Sequence, residues 1–160
     1  MLKKVITFTD FDGKEQKVDA YFNLNKTECV DLNLQYEDYG GLIGYLKKLM
    51  EDKIDGEIRQ KPAVDFVRKV VELAYGVRPK DDPSLFLKED DNGRRYCQRF
   101  KQTAAYDAFV FDLLSGKESL DEFITAVMPE VTPEQKAEAE KMIRKEGLGS
   151  YLDAKSTAGA

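Results

Sequence analysis

The chain has 160 residues and a mass of 18.2 kDa, room for one hydrophobic core and a peripheral segment rather than two domains. With 42% hydrophobic and 34% charged residues and no apolar run of about 20 residues, it reads as soluble and globular, not as disordered, fibrous or membrane-spanning. A net charge of −5 argues against nucleic acid or anionic lipid as partners, and the absence of histidine excludes Ser-His and Cys-His nucleophile pairs, His-ligated zinc and imidazole catalysis.

Residues 3–10 alternate, with Ile6 and Phe8 on one side and Val5, Thr7 and Thr9 on the other, and Val18, Ala20, Phe22 and Leu24 form a second alternation. Asp10-Phe11-Asp12-Gly13 between them is turn chemistry, which predicts an antiparallel β-hairpin. Two strands alone are marginally stable and leave two open edges, so one face must pack on helices or on a strand of another chain. Asn25 followed three residues later by Glu28 predicts a capping box, opening a short helix through Cys29, Leu32 and Leu34. After a Gly40-Gly41 break, Leu42, Ile43, Leu46, Leu49 and Met50 recur at helical spacing, opposite Lys47, Lys48, Glu51 and Asp52. Pro62 suits the first turn of the next helix, whose stripe is Phe66, Val67, Val70, Val71 and Ala74 and whose stop is Gly76 with Pro79.

Residues 77–93 read as a loop that Leu85-Phe86-Leu87 tacks onto the core. Arg94 to Ser115 is predicted to be one long helix, with Tyr96, Phe100, Ala104, Phe111 and Leu114 inside a sector of about 100°. Its second half also carries Ala105, Tyr106, Phe109 and Leu113 opposite, so it should be covered all round, by the domain or by a second molecule. Ser119 and Glu122 predict a capping box before Leu120, Phe123, Ile124 and Val127, and Pro129 ends that helix. Thr132-Pro133-Glu134-Gln135 opens a last helix, to about Glu146, with little apolar surface to hold it. The fold class is therefore α+β: an N-terminal β-hairpin followed by a mainly α-helical domain of about six helices. Residues 1–129 make the core domain, 130–147 a peripheral helix and 148–160 a disordered tail, in which Tyr151 and Leu152 could anchor a partner.

Chemistry-bearing clusters all have plainer readings. Asp10-x-Asp12 and Glu89-Asp90-Asp91-Asn92 lack the ligand spacing of a calcium loop and read as ordinary turns, so no metal or other cofactor is expected. Arg94, Arg95, Arg99 and Lys101 flank the aromatic stripe rather than share its face, which makes them a solvated charged surface. Gly40-Gly41-x-x-Gly44 has neither the preceding strand nor the lysine of a phosphate loop and reads as a helix break. On one continuous helix Asp107 falls about 20° from Tyr96, on the apolar stripe, and should need a paired donor. It has no co-worker in the sequence, so no catalytic residue is assigned. Cys29 and Cys97 form no CxxC pair and the MLKKVITF start is not a signal segment, so two reduced thiols in a cytosolic protein are expected.

Several stretches together resemble the tail assembly chaperones of long-tailed bacteriophages. They are Thr7-Phe8-Thr9-Asp10-Phe11-Asp12-Gly13-Lys14-Glu15, then Tyr21-Phe22-Asn23-Leu24-Asn25-Lys26-Thr27-Glu28, Leu73-Ala74-Tyr75-Gly76 and Phe86-Leu87-Lys88. The fullest is Phe100-Lys101-Gln102-Thr103-Ala104-Ala105-Tyr106-Asp107-Ala108-Phe109, followed by Glu122-Phe123-Ile124 and Pro129. The resemblance runs over residues 3–130 and departs from the family in the two prolines between Arg78 and Leu87. It implies a non-enzymatic protein of the host bacterial cytoplasm that coats the tape measure protein, keeps it soluble until tail tube protein polymerises around it, and is absent from the finished virion. It also implies a frameshift-extended form of the same chain as a further partner, and homo-oligomerisation stays open. The alternative is a structural tail component, a tube-end or connector protein pairing through its hairpin. Under the chaperone reading the expected contact residues are Phe8, Tyr21, Tyr106 and Phe109, on the hairpin and on the over-apolar helix; each is also an adequate core residue, and for Tyr106 and Phe109 the core is the favoured place.

Overall fold

A computed structural model describes residues 1–129; the predicted helix over 130–147 and the tail over 148–160 lie outside the described residues. Strands β1 (Leu2–Thr9) and β2 (Glu15–Phe22) form the expected antiparallel hairpin, with Ile6 opposite Val18 and Thr9 opposite Glu15. Alternation sends Ile6, Ala20 and Phe22 into the core, while Val5 on the other face is 53% exposed. A third strand, β3 (Tyr75–Gly76), pairs with the end of β2 in the order β1-β2-β3. Two residues have no readable periodicity, and the sequence suggested only a helix stop there.

Helix α1 (Lys26–Gln35) opens on both halves of the predicted capping box: Asn25 Oδ1 accepts from Glu28 N at 2.8 Å and Glu28 Oε1 accepts from Asn25 N at 3.0 Å. Cys29 and Leu32 are buried, but Leu34 lies on the solvent side at 62% exposure. A single 3-10 turn (Glu37–Tyr39) leads to Gly40 and Gly41, both at positive φ, and so to α2 (Gly41–Glu51). Asn33 Oδ1 accepts the otherwise free Leu42 amide at 2.9 Å, so α1 caps α2. Helix α3 (Lys61–Ala74) has Pro62 in its first turn and buries the predicted stripe completely.

The predicted long helix is two. Helix α4 (Tyr96–Phe100) ends at Lys101, and α5 (Ala104–Ser115) starts afresh with Thr103 Oγ1 accepting from Tyr106 N at 3.1 Å. The break resets the helical phase. The core side of α5 is therefore Ala105, Tyr106, Phe109, Val110 and Leu113, while Phe111, placed on the inner stripe by a continuous helix, is 66% exposed. Asp107 is likewise exposed and needs no buried donor. Helix α6 (Leu120–Val127) is capped by Ser119 Oγ, which accepts from Glu122 N at 3.3 Å and also hydrogen-bonds Asp121.

Aromatic rings tie the elements together. Phe22 has ring centroids of Phe109 and Phe123 at 5.3 Å, Tyr75 at 5.9 Å and Phe100 at 6.2 Å, joining β2 to β3, α4, α5 and α6. Lys88, in the loop before α4, is sunk against the same region: its Nζ donates to Asn23 O at 2.7 Å and to Leu73 O, and pairs with Glu28 at 3.2 Å. One ammonium thus pins the ends of β2 and α3 to the start of α1, although burial lowers its pKa.

Burial raises the phenol pKa of Tyr36, Tyr45, Tyr75 and Tyr106 above its ordinary value. An acid whose folded pKa is raised loses its proton first in the unfolded chain, so these four stabilise the fold below pH 10 and lose that contribution as pH rises beyond it. Lys88 acts with the opposite sign, since relief of its buried charge adds stability as pH rises towards 10.5. The buried Cys29 thiol, raised by burial, and Lys48 and Lys101, raised by their pairing with Asp52 and Glu72, act in the same sense as the phenols and against Lys88, so the urea midpoint should fall between pH 9 and pH 11, and the fall should shrink in Tyr75→Phe. A midpoint that rises over this interval contradicts the assignment.

Candidate partner-binding surface

The four residues expected to meet a partner are split by the fold. Phe109 is 2% and Tyr106 6% exposed, so in this conformation neither ring is open to a partner. Tyr106 is held from both sides: Arg68 Nε donates to its hydroxyl at 3.4 Å, and the hydroxyl donates to Glu72 Oε2 at 3.2 Å. Phe8 is half-buried on the inner face of β1, packed on the rim of the core. Tyr21 is half-buried in β2 on the alternate, outer face, opposite Lys3 on one side and Gly76 on the other. The sequence could not separate these roles, because large aromatics suit a core and an interface equally.

What the fold does leave open lies on the hairpin and the back of α5. Strand β1 is hydrogen-bonded along one side only, and no strand among the described residues pairs with its other edge. Beside that edge Val5 is exposed, and the inward side chains thin out towards the turn, where Val18 is 39% exposed. Phe11 at the tip is 85% exposed, the highest value among the large apolar side chains described. Neither Phe11 nor Phe111 stood out in the sequence: the first sits in a turn motif and the second was assigned inwards.

One groove accompanies this surface, a cavity of about 400 Å³ between α3 and the start of α4. Leu73 and Cys97 contribute apolar lining, and the cations Arg68, Lys69 and Arg95 line it together with Asp65 and Glu72. Glu72 is occupied, holding Lys101 at 3.0 Å through one oxygen and accepting from Tyr106 through the other, while Asp65 Oδ1 pairs with Lys61 at the exposed start of α3. A general base needs a free oxygen aimed at a substrate proton, and Glu72 has both oxygens engaged. Asp10 and Asp90, the centres of the two acidic clusters, spend their carboxylates on backbone amides of their own turns, as expected for turns. Hydrogen bonds from the Lys14 amide and the Gln16 side chain hold the Asp10 pKa below its ordinary value. No helix among the described residues is long and apolar enough to cross a membrane.

Strand β1 thus has no second strand neighbour among the described residues, Phe11 and Phe111 are exposed, and the chain carries a net charge of −5. A family model described as phage tail assembly chaperone matches residues 1–158. The chain belongs to that family. Neither the curated proteins nor the solved structures contain a match to it. Tail assembly chaperones act by binding, a non-enzymatic role, and their partners are phage tail proteins. The resemblance read over residues 3–130 thus extends over nearly the whole chain.

Proposed function

We propose that this tail assembly chaperone holds the tape measure protein soluble in the cytoplasm of the infected bacterium, many copies to one partner, and leaves before the tail is complete. The observation that carries the reading is the one-sided β1, eight residues long, with exposed Val5 beside its free edge. Such an edge accepts an extended segment by backbone hydrogen bonds and asks little of its sequence, which suits a ligand met at many places along its length. Each contact is weak, and repetition along one partner supplies avidity. Tyr21 on the outer face and Phe8 on the rim are the contact residues this geometry favours, with the tail tube protein displacing them as it polymerises. Both oxygens of Glu72 in the groove are engaged, which supports a role without catalysis.

Co-expression tests this. The tape measure protein should move from the pellet to the soluble fraction when the chaperone is present, and Val5→Lys should lower that fraction several-fold. A lysine on an exposed sheet face changes stability by no more than about 0.5 kcal/mol, so the loss would report on binding and not on folding. Unchanged solubility of the partner, or the chain at fixed stoichiometry in purified virions, would instead favour a structural tail component.

A further inference from the structure

Helix α5 packs along β1, the strand with the open side, while α3 packs on β2. The Phe109 ring stacks on Phe22 at 5.3 Å, and Phe22 is opposite Leu2; Glu118, just past α5, pairs with Lys4 at 2.7 Å. Both contacts place α5 beneath the first half of β1. They also fix how the helix is turned. Phe109 marks its side towards the sheet, and Tyr106, hydrogen-bonded to Arg68 and Glu72, marks its side towards α3. At about 100° per residue, the circuit from Tyr106 past Phe109 continues to Asp112, then Ala108, then Phe111, in steps of about 40–60°. These three residues form the flank of α5 that turns away from α3, under the free edge of β1. Ala108 and Asp112 are half-buried there, and Phe111 is 66% exposed. No ion pair among the described residues engages Asp112.

A strand added to β1 extends the sheet over this flank. Its side chains alternate, so every second one faces α5, about 6.8 Å from the next. Ala108 and Asp112 stand one helical turn apart, about 6 Å between Cβ atoms, which matches that spacing. One inward side chain thus reaches the small Ala108 beside Phe111, and the next reaches Asp112. We infer that the edge of β1 selects an extended segment of its tail-protein partner in which a lysine or arginine stands two positions from a large apolar residue, the cation meeting Asp112 and the apolar side chain covering Ala108 and Phe111. Backbone hydrogen bonds along β1 supply the attachment, and these two side chains supply the choice. A segment with an acid at the first place sets two carboxylates together and is rejected. The net charge of −5 favours the approach of a basic segment. The inference rests on the strand-edge reading proposed above and adds which segments are held.

Synthetic peptides test it on the full chain. One is a threonine strand with lysine and isoleucine alternating along one face; the control has the same composition, with lysine on one face and isoleucine on the other. By fluorescence anisotropy the first should bind about tenfold more tightly, although charge and composition are equal. Asp112→Lys should turn the preference to a peptide with glutamate in place of lysine, and Phe111→Ser should weaken the first peptide about tenfold. Both positions lie outside the core, so folding is spared. Equal binding of the two peptides, or a preference untouched by Asp112→Lys, overturns the inference. The strand-edge reading has a separate readout. If wild type and Asp112→Lys keep the tape measure protein equally soluble while Val5→Lys does not, the inference alone falls; if Val5→Lys keeps it soluble as well, the reading beneath it falls too.

Discussion

Replacing Phe22 by Ala should cost about 3–5 kcal/mol and lower the thermal midpoint by roughly 10 °C or more, the largest loss expected from any single truncation. Phe22 is fully buried, and its ring is the common neighbour of Tyr75, Phe100, Phe109 and Phe123. Truncation opens a cavity where β2, β3 and three helices meet. Four aromatic walls cannot close on it without leaving their own preferred edge-to-face and stacked arrangements. Denaturant unfolding of the purified variant measures the cost, and a loss below about 1 kcal/mol would mean that the site collapses freely and is not the keystone described.

Gly44→Ala carries the second large effect, and there the sign itself is informative. Within a helix, alanine is favoured over glycine by about 1 kcal/mol, so local propensity predicts a more stable protein. At this place in α2, however, a Cβ would lie 1.7 Å from the Tyr39 carbonyl oxygen and 2.7 Å from its carbon. Both belong to backbone held by the 3-10 turn, which no side-chain rotation can move aside. Steric conflict should win by a wide margin, giving a net loss of about 3 kcal/mol. The same urea titration decides the matter, since any gain in stability would mean that α2 does not approach the turn this closely.

Which parts of this architecture could be read in advance follows from the range of the forces involved. Capping of α1 by Asn25 and Glu28, the stripe of α3 and the hairpin alternation are set by residues within a few positions of one another, and all three were legible. The break at Lys101–Thr103 was not, because it contains neither glycine nor proline. Its only local signal is the N-cap threonine at 103. A helix continued through it rotates the faces and puts Phe111 inside, whereas Tyr106 and Phe109 take the core place that the sequence favoured for them. Strand β3 owes its existence to pairing with Tyr21 and Phe22, distant in sequence, and two residues cannot announce that.

A chaperone that acts by occupation, and not by turnover, is consumed one copy at a time. The decisive measurement is therefore the amount of tape measure protein kept soluble as the ratio of this chain to its partner increases in the same co-expression. Our account predicts that soluble partner rises in proportion to chaperone until many copies are bound to each molecule, and that the two purify together at that ratio. Full solubility at a small fraction of one copy per partner, with no complex to purify, would contradict it.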